Sequence, residues 1–217
     1  MNYLIVGASS GLGRDLAYTL SKNLCNLTLI SRDKRDLDAM KSDLEYKYKI
    51  KINSYAVDLA SKDSIISFLN DNEIELSTID GVLFPIGMMS ENDSVTQIKD
   101  EINQINNANF LSIVKFIEKI IPIFKEKQKG TIVGFGSMAS SLGREKNMIY
   151  SASKRALNSY FESLSATFIN SNINVQFYIL GYLDTNLAFN KKLILPKAST
   201  KQLAIKVFKN IDKNNIK

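Results

Sequence analysis

The sequence predicts an α/β fold: a doubly wound parallel sheet of about six strands flanked by helices on both faces. Three observations predict it. Short apolar runs alternate with longer segments of helical period along the whole chain. The run Ile79–Ile86 is almost continuously apolar, as a strand covered on both faces should be. A glycine-rich turn, Gly7 to Gly13, follows the first apolar run directly and opens the first helical segment.

The elements follow in order. Tyr3–Val6 is read as the first strand, because no basic leader precedes it and no small-residue cleavage site accompanies it. A helix from about Leu12 to Asn23 is followed by a strand at Leu27–Ile30. Asp33 then suits the N-cap of a charged helix reaching about Tyr48. Ile52–Val57 is a third strand, followed by a helix from about Lys62 to Asp71 and the strand Ile79–Ile86. A long helical stretch from about Val95 to Lys127 leads to the strand Thr131–Phe135. A helix from about Ile149 to Ser171, the strand Asn174–Leu180 and a helix from about Ser199 to Ile211 complete the pattern. Strands alternating with helices favour parallel pairing through right-handed crossovers.

Composition narrows the function classes. With 217 residues, 45% hydrophobic and 23% charged, the chain fits one globular domain over 1–217 rather than a disordered or fibrous protein. There is no linker, repeat or low-complexity segment. No run reaches eighteen apolar residues, so no transmembrane helix and no membrane partner are expected. Cys25 is the only cysteine, which excludes an intrachain disulfide and a multi-cysteine metal site and favours the cytoplasm. Histidine is absent, which excludes Ser-His-Asp triads and histidine-dependent zinc sites, and no metal is expected. Acid–base chemistry must therefore use Tyr, Lys, Asp, Glu or Cys. The net charge of +6 comes from scattered residues. Its densest group, Lys41 to Lys51, is interleaved with Tyr46, Tyr48 and Ile50 and reads as a solvated helix end, not a specific nucleic-acid surface.

The turn Gly7-Ala8-Ser9-Ser10-Gly11-Leu12-Gly13 points to a dinucleotide. Glycines there permit backbone angles that a Cβ would strain and let a pyrophosphate approach the N–H groups of a helix start. An ordinary tight strand-to-helix turn is the alternative, but placement after the first strand is that of a Rossmann-type fold. The end of the second strand reads Ser31-Arg32-Asp33. An acid there would accept bonds from a ribose 2′-hydroxyl, whereas Ser31 with Arg32 suits a 2′-phosphate, so NADP(H) is expected in preference to NAD(H). A solvated surface arginine is the alternative for Arg32. Asp58-Leu59, after the third strand, offers a carboxylate to the adenine amino group or an N-cap to the next helix.

Tyr150 and Lys154 are four apart, on one face of a helix. Bringing a phenol from pKa about 10 toward 7 requires roughly 4 kcal/mol, which a close ammonium and a cationic nicotinamide can supply. Ser137 ends the fifth strand thirteen positions earlier, where it can bond a substrate oxygen. Asn109, in Ala108-Asn109-Phe110, is a polar amide on an apolar helix and needs a partner. A water relay to Lys154 would provide one, and an amide satisfied within the helix interface is the alternative. Asn106 and Asn107 are rival candidates.

Together, Gly7 to Gly13, Asn109, Ser137 and Tyr150/Lys154 make the chain resemble the short-chain dehydrogenase/reductase family in its single-domain form. The resemblance implies that Gly7, Ser9, Ser10, Gly11, Leu12 and Gly13 surround the cofactor phosphates. It implies Ser31 and Arg32 at the 2′-phosphate, Asp58 and Leu59 at the adenine, and Gly87, Gly181 and Thr185 elsewhere along the cofactor. Tyr150 would be the general acid in reduction and the base in oxidation. Lys154 would lower its pKa and bind the nicotinamide ribose. Ser137 would orient substrate and Asn109 would hold the relay water. The substrate would be a small carbonyl compound or alcohol, covered by a short lid over 186–198. A homodimer through the helices Ile105–Lys127 and Ile149–Ser171 is expected, with a tetramer as the alternative.

Two departures from the family pattern stand out. Phe84-Pro85-Ile86-Gly87 replaces the usual Asn-Asn-Ala-Gly, and Leu180-Gly181 replaces Pro-Gly. The first leaves room for a catalytically silent NADP-binding sensor on the same fold. Arg144, Lys146, Lys191 and Lys192 would receive an acidic substrate or serve as solvated loop charges. Ser151-x-x-Lys154 also matches an acyl-transfer signature, but its companion motifs are absent.

Overall fold

Strand β1 (Asn2–Val6) shows how the sheet is covered. Tyr3 and Ile5 enter one apolar layer, Leu4 and Val6 the other, and all four are buried. Consecutive apolar residues are what a strand with two covered faces requires. The computed structural model describes residues 1–90, 101–143, 147–184 and 197–213. Its strands β1, β2 (Asn26–Ser31), β3 (Ile52–Ala56), β4 (Gly81–Phe84), β5 (Gly130–Ser137) and β6 (Ile173–Leu180) form one sheet in the order β3-β2-β1-β4-β5-β6. Every neighbouring pair is parallel.

Helices α1 (Gly11–Lys22), α2 (Lys34–Tyr48) and α8 (Thr200–Asn210) lend Leu16, Leu37 and Val207 to the layer shared with Tyr3. On the opposite face, α3 (Lys62–Asp71), α6 (Ser112–Glu126) and α7 (Met148–Thr167) lend Phe68, Phe116 and Phe161 to the layer shared with Leu4. The order reverses between β1 and β4, the place where open α/β sheets leave a ligand crevice at the carboxyl ends of their strands. The predicted fold class is therefore the observed one. Among the described residues, no helix is long and apolar enough to cross a membrane.

Several boundaries differ from expectation, each for a local reason. β4 ends at Phe84 because Pro85 has no N–H to give a ladder. The Ile86 amide instead turns back to the Phe84 carbonyl at 2.8 Å. A short helix α4 (Glu73–Thr78) occupies a stretch read as a connection. Its Glu75 carboxylate accepts hydrogen bonds from Thr28, Asn53 and Tyr55, tying α4 to β2 and β3. The long helix begins, among the described residues, with α5 (Glu101–Asn106) and passes through a π turn at Asn107–Leu111 into α6. Of the expected lid, 186–196 lies outside the described residues, and Ala198 bridges Leu183.

Candidate active site

The glycine turn has the shape that a bound dinucleotide needs. Gly7 (φ +98°) and Gly11 (φ +50°) hold left-handed backbone that a side chain would strain. A Cβ on Gly13 would sit 2.0 Å from the Gly7 carbonyl oxygen, so α1 can approach β1 this closely only with glycine there. Ser10 is the extended N-cap of α1, its side chain makes no capping bond, and the first turn holds no acid. The opening N–H groups of a helix have no intrahelical acceptor, and the dipole there favours an anion. A diphosphate fits this cradle.

The remaining cofactor candidates fall into place unevenly. Ser9 and Ser31 share a 2.6 Å hydrogen bond between hydroxyls, joining the glycine turn to the end of β2. Arg32 is exposed beside them, and Asp33 caps α2 by accepting from the Asp36 amide, as expected. The Asp58 carboxylate accepts from the Ala60 amide, and Ser61 rather than Asp58 caps α3. Leu12 and Leu59 turn their side chains into the two apolar layers, so only their backbone can face a nucleotide. Gly87 and Gly181 are exposed just beyond β4 and β6. Thr185, Arg144, Lys146, Lys191 and Lys192 lie outside the described residues.

At the carboxyl end of β5, Ser137 and Tyr150 are joined by a side-chain hydrogen bond. The Ser137 hydroxyl also accepts from the Ala139 amide at 3.1 Å, which fixes it at the head of a 3₁₀ turn, Met138–Ser140. One helical turn beyond Tyr150, Lys154 is 2% exposed. Its ammonium donates to the Ile86 carbonyl at 2.7 Å and the Phe135 carbonyl at 3.2 Å. The departure at Phe84–Ile86 therefore has a defined structural role, since its tight turn presents a carbonyl to the buried lysine. Pro85 and Ile86 also lie 3.3–3.4 Å from where a Gly7 Cβ would be, so this segment packs directly against the glycine turn.

Asn109 is held by three side-chain hydrogen bonds. Its carbonyl oxygen accepts from the Met88 amide at 2.7 Å, and its amino group donates to the Met88 carbonyl at 2.8 Å and to Ser153 at 3.2 Å. Both amide hydrogens are committed to protein, as in the alternative reading of an amide satisfied within the helix interface. The π turn aims this residue inward, while Asn107 donates to the Ala60 carbonyl instead. Ser153, which the sequence reading missed, passes the connection on by donating to the Tyr150 carbonyl at 2.8 Å. A bond path thus runs from the segment after β4, through Asn109 and Ser153, to the backbone of Tyr150.

Burial dominates the charge states of Tyr150 and Lys154. Burial pushes the Tyr150 phenol above its ordinary value, and the bond to Ser137 only partly offsets this. The Lys154 ammonium is engaged by two backbone carbonyls, and burial lowers its own pKa to about 8. Two glycines of β5, also unnoticed in sequence, seat the helix that carries both groups. A Cβ on Gly134 would lie 2.4 Å from the Phe161 ring, and one on Gly136 2.7 Å from the Phe177 ring. Those rings stack at 4.8 Å between α7 and β6.

Comparison with known proteins agrees with this arrangement. The family model described as short chain dehydrogenase matches residues 2–193. The chain is 28% identical over 216 residues to the human very-long-chain 3-oxoacyl-CoA reductase, covering 96% of this chain and 67% of that protein. It is 26% identical over 209 residues to an NADP-dependent 3-hydroxy acid dehydrogenase of Schizosaccharomyces pombe, covering 95% and 79%. Of other curated relatives it spans as little as 54%. Among solved structures, a short-chain dehydrogenase from Sphingobium yanoikuyae in complex with NADPH has the same fold, with TM-score 0.86 and 24% identity over 98% of this chain and 84% of that one.

Proposed function

Because the chain belongs to the short-chain dehydrogenase family, we propose that it is an NADP(H)-dependent oxidoreductase that interconverts a carbonyl and a secondary alcohol on a small molecule. The observation that carries this reading is the hydrogen-bonded Ser137–Tyr150 pair at the carboxyl end of β5, one helical turn from the buried Lys154. The cofactor, when bound, supplies or accepts the hydride. Gly7, Gly11 and Gly13 with the start of α1 hold its diphosphate, Ser31 and Arg32 its 2′-phosphate, and Asp58 and the Leu59 backbone its adenine. Lys154 bonds its ribose.

In reduction, Ser137 donates a hydrogen bond to the substrate carbonyl and Tyr150 gives its phenolic proton to the same oxygen. In the reverse direction Tyr150 takes the proton from the alcohol. Ser31 with Arg32, which suit a 2′-phosphate and so favour NADP(H), support the reductive direction. The names of the human and fission-yeast relatives also support a reductase using NADP.

The same proposal extends to a cytoplasmic homodimer packed through α6 and α7, supported by the exposure of Leu111 beside α6; sedimentation equilibrium tests it. The cofactor assignment is tested by titrating NADPH and NADH and then supplying aldehydes, ketones and keto-sugars. NADPH should bind at least tenfold more tightly, and Arg32→Ala should erode that margin. Equal affinity for NADH overturns the assignment, and tight NADPH binding without turnover on any carbonyl points to the silent sensor.

A further inference from the structure

The turn after β3 carries Asp58, and most of its hydrogen bonds close on the turn itself. The Asp58 amide donates to the Ser64 hydroxyl at 3.0 Å, and the Ser61 amide donates to the Asp58 carbonyl at 3.1 Å. One oxygen of the Asp58 carboxylate accepts from the Ala60 amide at 3.0 Å. The residue is exposed, so its second oxygen can face a ligand. The Ala60 carbonyl, in contrast, is held from outside. Asn107 donates to it at 3.0 Å from forty-seven residues away. Ala60 is thus gripped on both sides of its Cα, its N–H by Asp58 and its C=O by Asn107.

The place of Asn107 in its helix makes it a firm anchor. It is half-buried and opens the π turn, which the Ser112 amide closes by donating to the Asn107 carbonyl. Two residues on, Asn109 is bonded to Met88 and Ser153. One five-residue turn therefore grips the chain in two directions, toward Ala60 and toward the backbone of Tyr150. A neutral hydrogen bond adds little net stability, but its direction fixes where two segments meet.

We infer that Asn107 is a positioning residue for purine recognition: it holds Ala60, Ala60 holds the Asp58 carboxylate, and that carboxylate meets the 6-amino group of adenine. This rests on the proposed place of Asp58 at the adenine, so the test has a readout that needs no turnover. NADPH is compared with its deamino analogue, in which hypoxanthine replaces adenine and the 6-amino donor becomes a carbonyl acceptor. Fluorescence titration measures both affinities. Wild type should bind NADPH about tenfold more tightly than the analogue, as expected for one hydrogen bond to a charged group. Asn107→Ala should cut that margin to about threefold or less and leave affinity for the analogue within about twofold of wild type. In an Asp58→Ala background the same substitution should change NADPH affinity by less than about twofold.

An undiminished margin in Asn107→Ala overturns the inference. So does equal weakening of both nucleotides, which marks a merely structural contact, or a full effect in the Asp58→Ala background. Wild type that binds both nucleotides equally removes Asp58 from the adenine and takes the inference with it. The expected margins without turnover of any carbonyl uphold the role of Asn107 and defeat the reductase. Turnover with an undiminished margin in Asn107→Ala does the reverse.

Discussion

Replacing Lys154 by Met tests the cost of placing an ammonium beneath the sheet edge. The side chain is 2% exposed, and burial brings its pKa from 10.5 to about 8. A folded-state value below the unfolded one means that the unfolded chain binds the extra proton between these limits. Stability contributed by this site is therefore lowest below pH 8 and rises as pH climbs toward 10.5. At about 1.4 kcal/mol per decade, wild type should gain roughly 2.5 kcal/mol from this residue between about pH 7 and pH 10. Lys154→Met has no proton to exchange and should lack that gain. At neutral pH the relief of burying no charge, about 3.4 kcal/mol, exceeds the roughly 1 kcal/mol for each donor lost to Ile86 and Phe135, so Lys154→Met should be about 1 kcal/mol the more stable there. Urea unfolding of both proteins, without nucleotide, across this pH range measures the difference. Parallel stability curves would refute the reasoning.

Other perturbations follow from the same contacts. Gly13→Ala forces a Cβ onto the Gly7 carbonyl, so the glycine turn should open and nucleotide affinity should fall at least a hundredfold in a fluorescence titration. Asn109→Leu strands both polar groups of Met88 and should destabilise the fold by about 2–4 kcal/mol in denaturant. Gly134→Ala presses on the Phe161 ring and should cost about 1–3 kcal/mol, and a second change, Phe161→Leu, should recover part of both stability and kcat.

Much of the scaffold is legible in the sequence because its determinants are local. The alternation of apolar runs and helical periods locates all six strands, and glycine spacing locates the dinucleotide turn. The i, i+4 spacing puts Tyr150 and Lys154 on one helix face. What cannot be read depends on partners distant in sequence. Asn109 finds Met88 twenty-one residues away and Ser153 forty-four away, and no pattern around it announces either. The π turn that aims it is set by this packing, since nothing in Asn107–Leu111 departs from helical composition. Glu75 is invisible for the same reason: its three partners sit on β2 and β3. The burial that raises the Tyr150 phenol is likewise not stated by the sequence. Gly134 and Gly136 pass as ordinary strand residues until Phe161 and Phe177 show what lies over them.

In the proposed reaction the Tyr150 hydroxyl is the group that moves the proton. Tyr150→Phe removes that oxygen and leaves the ring, so Lys154 keeps its carbonyl partners and only the bond to Ser137 is lost, and the melting temperature should fall by no more than about 4 °C. NADPH oxidation with the best ketone substrate should fall by about 10²–10⁴ in kcat while NADPH affinity stays within a few fold. Turnover by the phenylalanine variant within about tenfold of wild type would contradict the role given to that hydroxyl.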